Sequence, residues 1–338
     1  MNHELVLVGN PGEAHVGAHL QAAANSWGMG VAFCNMTQAF DGTSLRQKID
    51  WWVRGRRPTH LRKFSEQVVQ ACLKVKPRWL ICTGIAPVEG WALQKIEEIG
   101  TRRLNYLTDD PWSPAHRSSW FMNALSKYDQ VFSTKRNLLG DLRQFGCPSV
   151  SYLPFAYAPE AHFPEQPPTN QAASEFAVDV VFVGGADRDR VPYMVTLRKA
   201  GFKLALYGGY WRRYRATAGA ARGHADLRTS RQAIQAAKVA LCLVRRANRD
   251  GHCMRSFEVP AIGGCMLTED TVEHREIFGE DGQAVVYFQT QDEMVEKLRW
   301  LLSHDDERHR LADTAHRLIT SGKHTYSDRL EAMLYGAG

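Results

Sequence analysis

The sequence predicts an α/β protein with two doubly wound domains, each built on a parallel sheet that helices cover on both faces. Its 338 residues exceed one ordinary hydrophobic core and suit two. Apolar strand-like runs alternate with helical segments from residue 4 to 157, and the alternation restarts at 177. A proline-rich stretch separates the two halves.

The first half alternates from its beginning. ELVLVG at 4–9 is a short apolar run that ends in Gly and leads into a helical segment. RWLICTG at 78–84 has the same character and follows a helical pattern at 65–77. Because such runs are apolar throughout, they indicate strands of a parallel sheet that is buried on both faces. We predict a first domain over 1–158.

The second half begins after a change of composition. Residues 159–176 hold four of the fourteen Pro residues and almost no large aliphatic side chains, which predicts a linker. The alternation resumes with AVDVVFVGG at 177–185 and continues through ALCLVRR at 240–246. We predict a second domain over 177–322. Since open α/β sheets bind ligands at the carboxyl ends of their strands, a ligand cleft between the domains is expected.

Composition narrows the range of partners. The net charge of +6 suits nucleic acid, an anionic membrane surface or a phosphorylated substrate. Basic and aromatic residues cluster at 51–63 and 211–224, yet no DNA-binding or RNA-binding motif accompanies them. No apolar run reaches the roughly 18 residues of a membrane span, and the start shows no leader. We therefore expect a cytoplasmic protein, with peripheral membrane contact left open.

Seven Cys residues are scattered without a CxxC pair, several of them inside apolar runs. This pattern indicates buried thiols and predicts neither disulfides nor a zinc site.

Two groups of segments resemble a known family. NRDGHCMRSFEVPAIGGCMLTED at 248–270, HREIF at 274–278 and HTYSDRLEAML at 324–334 resemble the donor-binding half of group-1 glycosyltransferases, in particular the branch related to the spore-maturation protein CgeB. LTDDPW at 107–112, STKRNLLGDL at 133–142 and YLPFAY at 152–157 resemble the same branch.

This resemblance implies the GT-B fold, with two Rossmann-like domains facing a central cleft and a C-terminal helix at 323–338 that packs back on the first domain. It also implies transfer of a sugar from a nucleotide-diphosphate sugar to a glycan, protein or small-molecule acceptor. Neither a metal nor another cofactor is expected.

The resemblance centres on two acidic residues. The family carries an acidic residue, seven intervening residues and a Glu, a spacing that Asp250 and Glu258 meet. Glu258 can accept charge-assisted hydrogen bonds from the ribose hydroxyls, and Arg255 can supply a planar cation to the phosphates. An internal Arg255 to Glu258 ion pair would satisfy the same sequence. Backbone amides just before the helix predict a pyrophosphate site: Gly251, His252, Cys253 and Met254.

Other donor contacts are weaker predictions. Gly184 and Gly185 end the first strand of the second half, where Gly lets a ligand approach the backbone. Arg188 or Arg190 could reach a phosphate there, although a tight turn with exposed charges explains the same residues. The imidazole of His252 is predicted to contact the diphosphate or sugar, with simple solvent exposure as the alternative.

The first half offers three catalytic candidates. His15 lies in a Gly-bearing loop and could contact a sugar or act as a general base. Asp109 or Asp110 could bind acceptor hydroxyls or act as base, while an Asp that caps the turn before Pro111 is equally consistent. Asp250 completes the predicted catalytic set.

The favoured function is glycosyl transfer with retention, since the acidic pair resembles retaining members of the family. One alternative keeps the fold and changes the reaction to that of a nucleotide-sugar epimerase or a phosphorylase. The other is a non-catalytic protein that binds polyanions or nucleic acid on the same scaffold.

Overall fold

The computed structural model describes residues 3–42, 55–167 and 176–336. Four predicted segments include positions outside these ranges. They are 1–2 and 43–54 of the predicted first domain, 51–54 of the basic segment 51–63, 168–175 of the predicted linker, and 337–338 of the C-terminal segment.

The chain divides into two compact units. Unit 1 comprises Met1–Pro154, Ala247–Arg249 and Tyr326–Gly338, and unit 2 comprises Phe155–Arg246 and Asp250–Thr325. The first change of unit therefore falls at Pro154 rather than at residue 158, where composition predicts it. The physical reason is that the residues from 155 to 158 are buried and belong to unit 2, where the Tyr157 amide donates to the His324 carbonyl at 3.0 Å.

Unit 1 contains a parallel sheet with the order β2-β1-β3-β4-β5-β6 among the described residues. Its strands are β1 His3–Gly9, β2 Gly30–Asn35, β3 Trp79–Thr83, β4 Arg102–Leu107, β5 Gln130–Ser133 and β6 Val150–Tyr152. The central strands are buried: in β1 the side chains from Leu5 to Val8 have no exposed surface. From β1 the chain adds β2 on one side and then β3 on the other, so the strand order reverses between β1 and β3. The switch point of this sheet lies where those two strands end.

Helices cover this sheet. They are α1 Val16–Ser26, α2 Leu61–Val75, α3 Gly90–Glu98, α4 Ser119–Leu125 and α5 Leu139–Gln144. In α2 the residues Leu61, Phe64, Val68 and Cys72 recur at helical spacing and are buried in the core. The apolar stripe of α2 therefore fixes which face of the helix meets the sheet.

Unit 2 contains a second parallel sheet, with the order β12-β11-β10-β7-β8-β9 among the described residues. Its strands are β7 Val180–Val183, β8 Leu204–Tyr207, β9 Ala221–Gly223, β10 Val239–Cys242, β11 Met266–Glu269 and β12 Val286–Phe288. The order reverses between β7 and β10, so this unit has its switch point where those two strands end. The prediction of two doubly wound parallel sheets is confirmed.

The helices of unit 2 are α6 Arg190–Lys199, α7 Leu227–Ala236, α8 Arg255–Ile262, α9 Val272–Phe278, α10 Gln291–Ser303 and α11 Asp305–Ser321. Helix α8 is buried along its length and packs against α7 and α11. It ends at Ile262 because Gly263 adopts a φ of +87°, a left-handed conformation that Gly tolerates without strain.

The last helix, α12 Tyr326–Tyr335, belongs to unit 1 and packs on α1. Its side chains Tyr326, Leu330 and Met333 are buried, and Trp27 at the end of α1 donates to the Ser327 hydroxyl at 2.9 Å. Among the described residues, no helix has both the length and the apolar composition needed to cross a bilayer.

The basic segment 211–224 is partly a core element. Trp211 is 1% exposed, and its indole nitrogen donates to the Gly184 carbonyl at 2.8 Å. The indole therefore contributes to packing within unit 2 and offers no exposed face for stacking on a nucleobase.

Candidate functional site

The candidate site of unit 2 is at the carboxyl end of β7, where two glycines follow the strand. The Gly184 amide donates to the Tyr207 carbonyl at 2.8 Å, which ties the turn after β7 to the end of β8. Gly208 adopts a φ of +124°, and a Cβ at that position would overlap the Gly184 carbonyl group. The backbones at Gly184 and Gly208 approach so closely that only Gly fits at 208. Since Gly184 and Gly185 have no side chains, the backbone at the switch point is open to a ligand.

Arg190 is a buried cation beside these glycines. Asp187 accepts the Arg190 amide at 2.8 Å, which holds the start of α6, and its second oxygen is 3.6 Å from Arg190 Nε. The guanidinium donates to the Gly185 carbonyl at 3.2 Å. Burial and the neighbouring charge of Arg245 lower the pKa of Arg190. The site therefore holds a desolvated positive charge that is only loosely balanced by Asp187, which suits an anionic ligand. The other predicted arginine, Arg188, is exposed.

Glu258 is a buried carboxylate in the first turn of α8. It is 1% exposed, and it forms an ion pair with the Arg255 guanidinium one turn earlier. His162 Nε2 is 3.7 Å from Glu258 Oε1. Arg255 Nε also donates to the Val183 carbonyl at 3.1 Å. The internal ion pair that the sequence left open is thus formed, and it sits at the carboxyl end of β7.

The loop 250–254 leads into α8, and His252 anchors it. The Phe155 amide donates to His252 Nε2 at 3.0 Å, so this nitrogen carries the lone pair and Nδ1 carries the proton. Nδ1 is hydrogen-bonded to the Glu273 carboxylate, and the ring is buried. Both ring nitrogens are thus engaged inside unit 2, and His252 holds the loop against α9. Simple solvent exposure is excluded by the burial of the ring, and the contact of the imidazole with a donor stays a prediction.

Backbone contacts fix the rest of the loop. A Cβ on Gly251 would overlap the Glu273 carboxylate, and the Gly251 carbonyl accepts the Thr271 hydroxyl at 2.6 Å. The Cys253 amide donates to Ser256 Oγ at 3.1 Å. This amide, one of the four predicted to bind pyrophosphate, therefore already has a partner in the protein. Met254 occupies the N-cap position of α8, and a ligand role for its amide stays a prediction.

Asp250, the first acidic residue of the predicted pair, is held by the chain just after β10. Its amide donates to the Arg245 carbonyl at 3.1 Å, and its carboxylate accepts the Arg245 amide at 3.4 Å. The side chain therefore closes a local turn at the start of the loop. Its predicted catalytic role stays a prediction.

A pocket of about 270 Å³ opens beside Arg190, entirely within unit 2. Glu269, the last residue of β11, lines the pocket and accepts the Val244 amide at 2.7 Å. It also pairs with Arg246 at 3.1 Å and lies 3.3 Å from the Tyr193 hydroxyl. Burial raises the pKa of Glu269. The pocket thus offers a desolvated carboxylate, a guanidinium and a phenol next to the buried cation.

The predicted residues of unit 1 have different surroundings. His15 precedes α1, and its amide donates to the Gly12 carbonyl at 2.9 Å. Asp109 is partly exposed, accepts the Thr108 hydroxyl at 3.0 Å and lies 3.7 Å from His116 Nε2. Both residues keep their predicted roles as predictions.

Asp110 is a structural residue. It is 4% exposed, caps the turn by accepting the Trp112 amide at 2.9 Å, and pairs with Arg249 at 2.7 Å. Arg249 also contacts Asp141 at 2.6 Å. The Asp cap that the sequence left open is therefore present, and the oxygens of Asp110 are engaged by Arg249 and the turn. A role of Asp110 in binding acceptor hydroxyls or as a base stays a prediction.

Comparisons with known proteins give one family match, to part of the chain, and structural matches over nearly all of it. Residues 192–335 match a protein-family model described as glycosyl transferase-like. Sucrose-phosphate synthase from Thermosynechococcus elongatus is similar in structure, with a TM-score of 0.68, 12% identity and 98% coverage of both chains. An E. coli structure described as trehalose-6-phosphate bound with UDP-2-fluoro glucose has a TM-score of 0.65, 13% identity and 97% coverage of both chains. The chain has the GT-B fold.

The GT-B fold also occurs in a Listeria monocytogenes structure provisionally named UDP-N-acetylglucosamine 2-epimerase. Its TM-score is 0.61, with 12% identity over 100% of this chain and 98% of the other. No curated protein sequence matches the chain. Since these identities are low, structural similarity shows the fold and leaves the reaction to be argued from the site.

Sequence reasoning missed several residues of this candidate site. Glu269, Glu273 and His274 are buried polar groups of β11 and α9, and His162 lies in the segment predicted as linker. His274 falls in the HREIF motif, which marked the segment without giving the residue a role. Glu269 ends a strand, and a carboxylate at the end of a buried strand is the signal that could have singled it out.

Proposed function

We propose that this chain transfers a glycosyl group from a nucleotide-diphosphate sugar to a hydroxyl acceptor, without a metal ion and with retention at the anomeric carbon. Two findings support a glycosyltransferase: the match of residues 192–335 to a glycosyl transferase-like family, and the GT-B fold shared with sugar-phosphate synthases. The resemblance to the branch related to spore-maturation protein CgeB remains part of the proposal.

The observation that carries the proposal is the buried carboxylate of Glu258 at the carboxyl end of β7. A carboxylate that is 1% exposed is costly unless it has hydrogen-bond donors, and here its partner is the Arg255 cation. A nucleotide diphosphate would offer a new partner to each member of this ion pair. Its ribose hydroxyls would donate to Glu258, and its phosphates would accept from Arg255.

Arg190 would bind the same diphosphate from the other side. It approaches the backbone of Gly185 at 3.2 Å and carries a desolvated charge beside a turn that has no side chains. A phosphate oxygen near Gly184 and Gly185 would neutralise this charge. Two guanidinium groups, of Arg190 and Arg255, can thus stabilise the leaving diphosphate in the role that a divalent ion has in other sugar transferases.

The proposed reaction exchanges one bond at the anomeric carbon for another. The bond between the anomeric carbon and the diphosphate oxygen breaks while the acceptor oxygen forms the new bond. The departing phosphate oxygen takes the acceptor proton, so no strong base is required. Asp250 would hold hydroxyls of the donor sugar, while His15 and Asp109 are the acceptor-side candidates.

The test is a binding screen followed by a substitution. Thermal shift with UDP, GDP, dTDP and CDP, each free and as its sugar, should show one base that stabilises the protein. Glu258→Gln keeps the side-chain shape and removes the charge, which should cost about 1.5–3 kcal/mol of binding free energy. The dissociation constant should rise roughly 10- to 100-fold.

The matched control is Asp129→Asn, which breaks another side-chain ion pair, with Arg103 at 2.6 Å in unit 1. It should lower the melting temperature and leave nucleotide affinity unchanged. Unaltered affinity in Glu258→Gln, or no response to any nucleotide, would overturn the proposal. With the selected donor, NMR of the product should show the anomeric configuration of the donor, and inversion would remove the retaining mechanism.

A further inference from the structure

Two cysteine sulfurs lie side by side where the end of β10 meets the loop 250–254, which we call the donor loop. Cys242 is the last residue of β10 and is buried, whereas Cys253 lies in the loop 250–254 and is partly exposed. Their Sγ atoms are 3.6 Å apart. The sequence predicted isolated buried thiols, because eleven positions separate the two residues and no CxxC motif joins them.

The surroundings distinguish the two thiols. The two thiols share a hydrogen bond, and this bond together with the nearby charges of Arg190 and Arg255 lowers the pKa of Cys253 well below the usual value. The pKa of Cys242 is raised by the same hydrogen bond and by burial. Cys253 is therefore the nucleophilic thiol, and Cys242 is placed to resolve an oxidised product.

Cys34 provides an internal comparison. It is also partly exposed, but burial raises its pKa to about 11, so its thiol stays protonated at neutral pH. Cys34 and Cys253 are thus similarly exposed, and they differ in the charges that surround the sulfur. Oxidation should select Cys253.

We propose that Cys242 and Cys253 form a reversible disulfide in response to hydroperoxides, and that this modification closes the donor loop. The Cys253 thiolate attacks a peroxide oxygen, the O–O bond breaks, and a sulfenic acid forms as hydroxide leaves. Cys242 then attacks the sulfenic sulfur, the S–O bond breaks, and its thiol proton leaves with the hydroxyl as water. The two thiols lose two electrons in total, and hydrogen peroxide is reduced to two waters.

The geometry predicts which part moves. A disulfide holds its sulfurs about 2.05 Å apart, so the two atoms must approach by roughly 1.5 Å from their present separation. Cys242 pairs with Thr268 in the sheet, and its carbonyl accepts the Thr268 hydroxyl at 3.2 Å. The loop is therefore the part that shifts, and the shift disturbs the hydrogen bond from the Cys253 amide to Ser256 at the start of α8.

This displacement carries Arg255 away from its position beside Glu258. Loss of nucleotide affinity by tenfold or more is the expected consequence. Formation of the disulfide itself depends only on the two thiols, while its effect on affinity rests on the proposed function.

The full chain, first reduced and then treated with hydrogen peroxide, provides the test. Trypsin separates the two cysteines into the peptides 239–245 and 250–255, so a disulfide appears as one linked species that is lighter by two hydrogens and disappears with dithiothreitol. Cys242→Ser should give instead a sulfenic acid on Cys253 that dimedone traps. Cys34→Ser should form the linked species as the natural chain does.

Absence of the linked species in peroxide-treated natural chain would overturn the inference without any variant. Equal nucleotide affinity before and after the link forms would remove its control of the donor loop and leave the proposed function intact. A reduced chain that binds no nucleotide, yet forms the link, would refute the proposed function alone.

Discussion

His274 makes a specific prediction about pH. Its side chain has no exposed surface, its Nδ1 proton is donated to the Glu269 carbonyl at 2.8 Å, and Nε2 accepts the Ser256 hydroxyl at 2.8 Å. Burial lowers the pKa of His274 from 6.5 to about 4. The folded protein therefore holds this imidazole neutral, since a second proton would displace the Ser256 hydrogen bond.

The sign and size follow from the two pKa values. Above pH 6.5 His274 is neutral in both the folded and the unfolded protein, so it does not make stability depend on pH. Between pH 6.5 and pH 4 the unfolded chain binds the proton more readily than the folded protein, so the free energy of unfolding falls as the pH is lowered. The full loss below the folded pKa is about 3.4 kcal/mol, taking about 1.36 kcal/mol for each of the 2.5 pH units between 6.5 and 4. At pH 5 the loss reaches about 2 kcal/mol.

The assay is hydrogen exchange on peptides that cover β11 and α9, converted to opening free energies at pH 7.5 and pH 5. His274→Gln does not titrate in this range, so it should lose about 2 kcal/mol less than the natural chain between the two pH values. His309→Gln, at an exposed position of α11, is the control and should lose as much as the natural chain. Equal losses in the natural chain and His274→Gln would refute the reasoning.

Two further predictions concern the turn after β7. Gly208→Ala should lower the free energy of unfolding by about 1–3 kcal/mol, because the new Cβ meets the Gly184 carbonyl and the residue has a φ of +124°. The control is Gly209→Ala, where the space around the Cβ is open. Its free energy of unfolding in urea titration should change by less than about 0.5 kcal/mol. Similar midpoints for the two would contradict the close approach. Arg190→Met should reduce nucleotide affinity roughly tenfold or more with little change in melting temperature, because a buried and loosely paired cation is replaced by an apolar side chain. Nucleotide affinity is measured by calorimetric titration, and Arg188→Met, at an exposed position, should reduce it less than Arg190→Met does. A larger loss of affinity in Arg188→Met would show that Arg188, and not Arg190, binds the phosphate.

The fold could be predicted from the sequence because its signals are local. RWLICTG contains four consecutive apolar residues, and β3 Trp79–Thr83 is buried at every position. VVFVGG likewise predicted β7 and the turn that follows it. Strand and helix periods are set by neighbours within a few residues, so the alternation of elements is readable before any tertiary contact is known. The order of strands within each sheet was not readable in the same way.

Part of the site was also local. Burial of Glu258 with a partner followed from the apolar residues around it, and Arg255 lies one helical turn away, where side chains meet. The role of His252 was not readable, because its partners Phe155 and Glu273 are 97 and 21 positions distant. A His in a loop has the same sequence whether its ring meets solvent or two buried partners.

The sequence by itself determined the two alternating halves, their parallel sheets and a carboxylate that had to be buried with a cation. Only the tertiary structure decided that Asp110 belongs to Arg249, 139 positions away, and that the short segment Ala247–Arg249 is part of unit 1. It also decided that Cys242 and Cys253 are neighbours. The reason is physical: backbone periodicity fixes contacts within a few residues, whereas contacts between distant segments arise only when the sheets and helices pack.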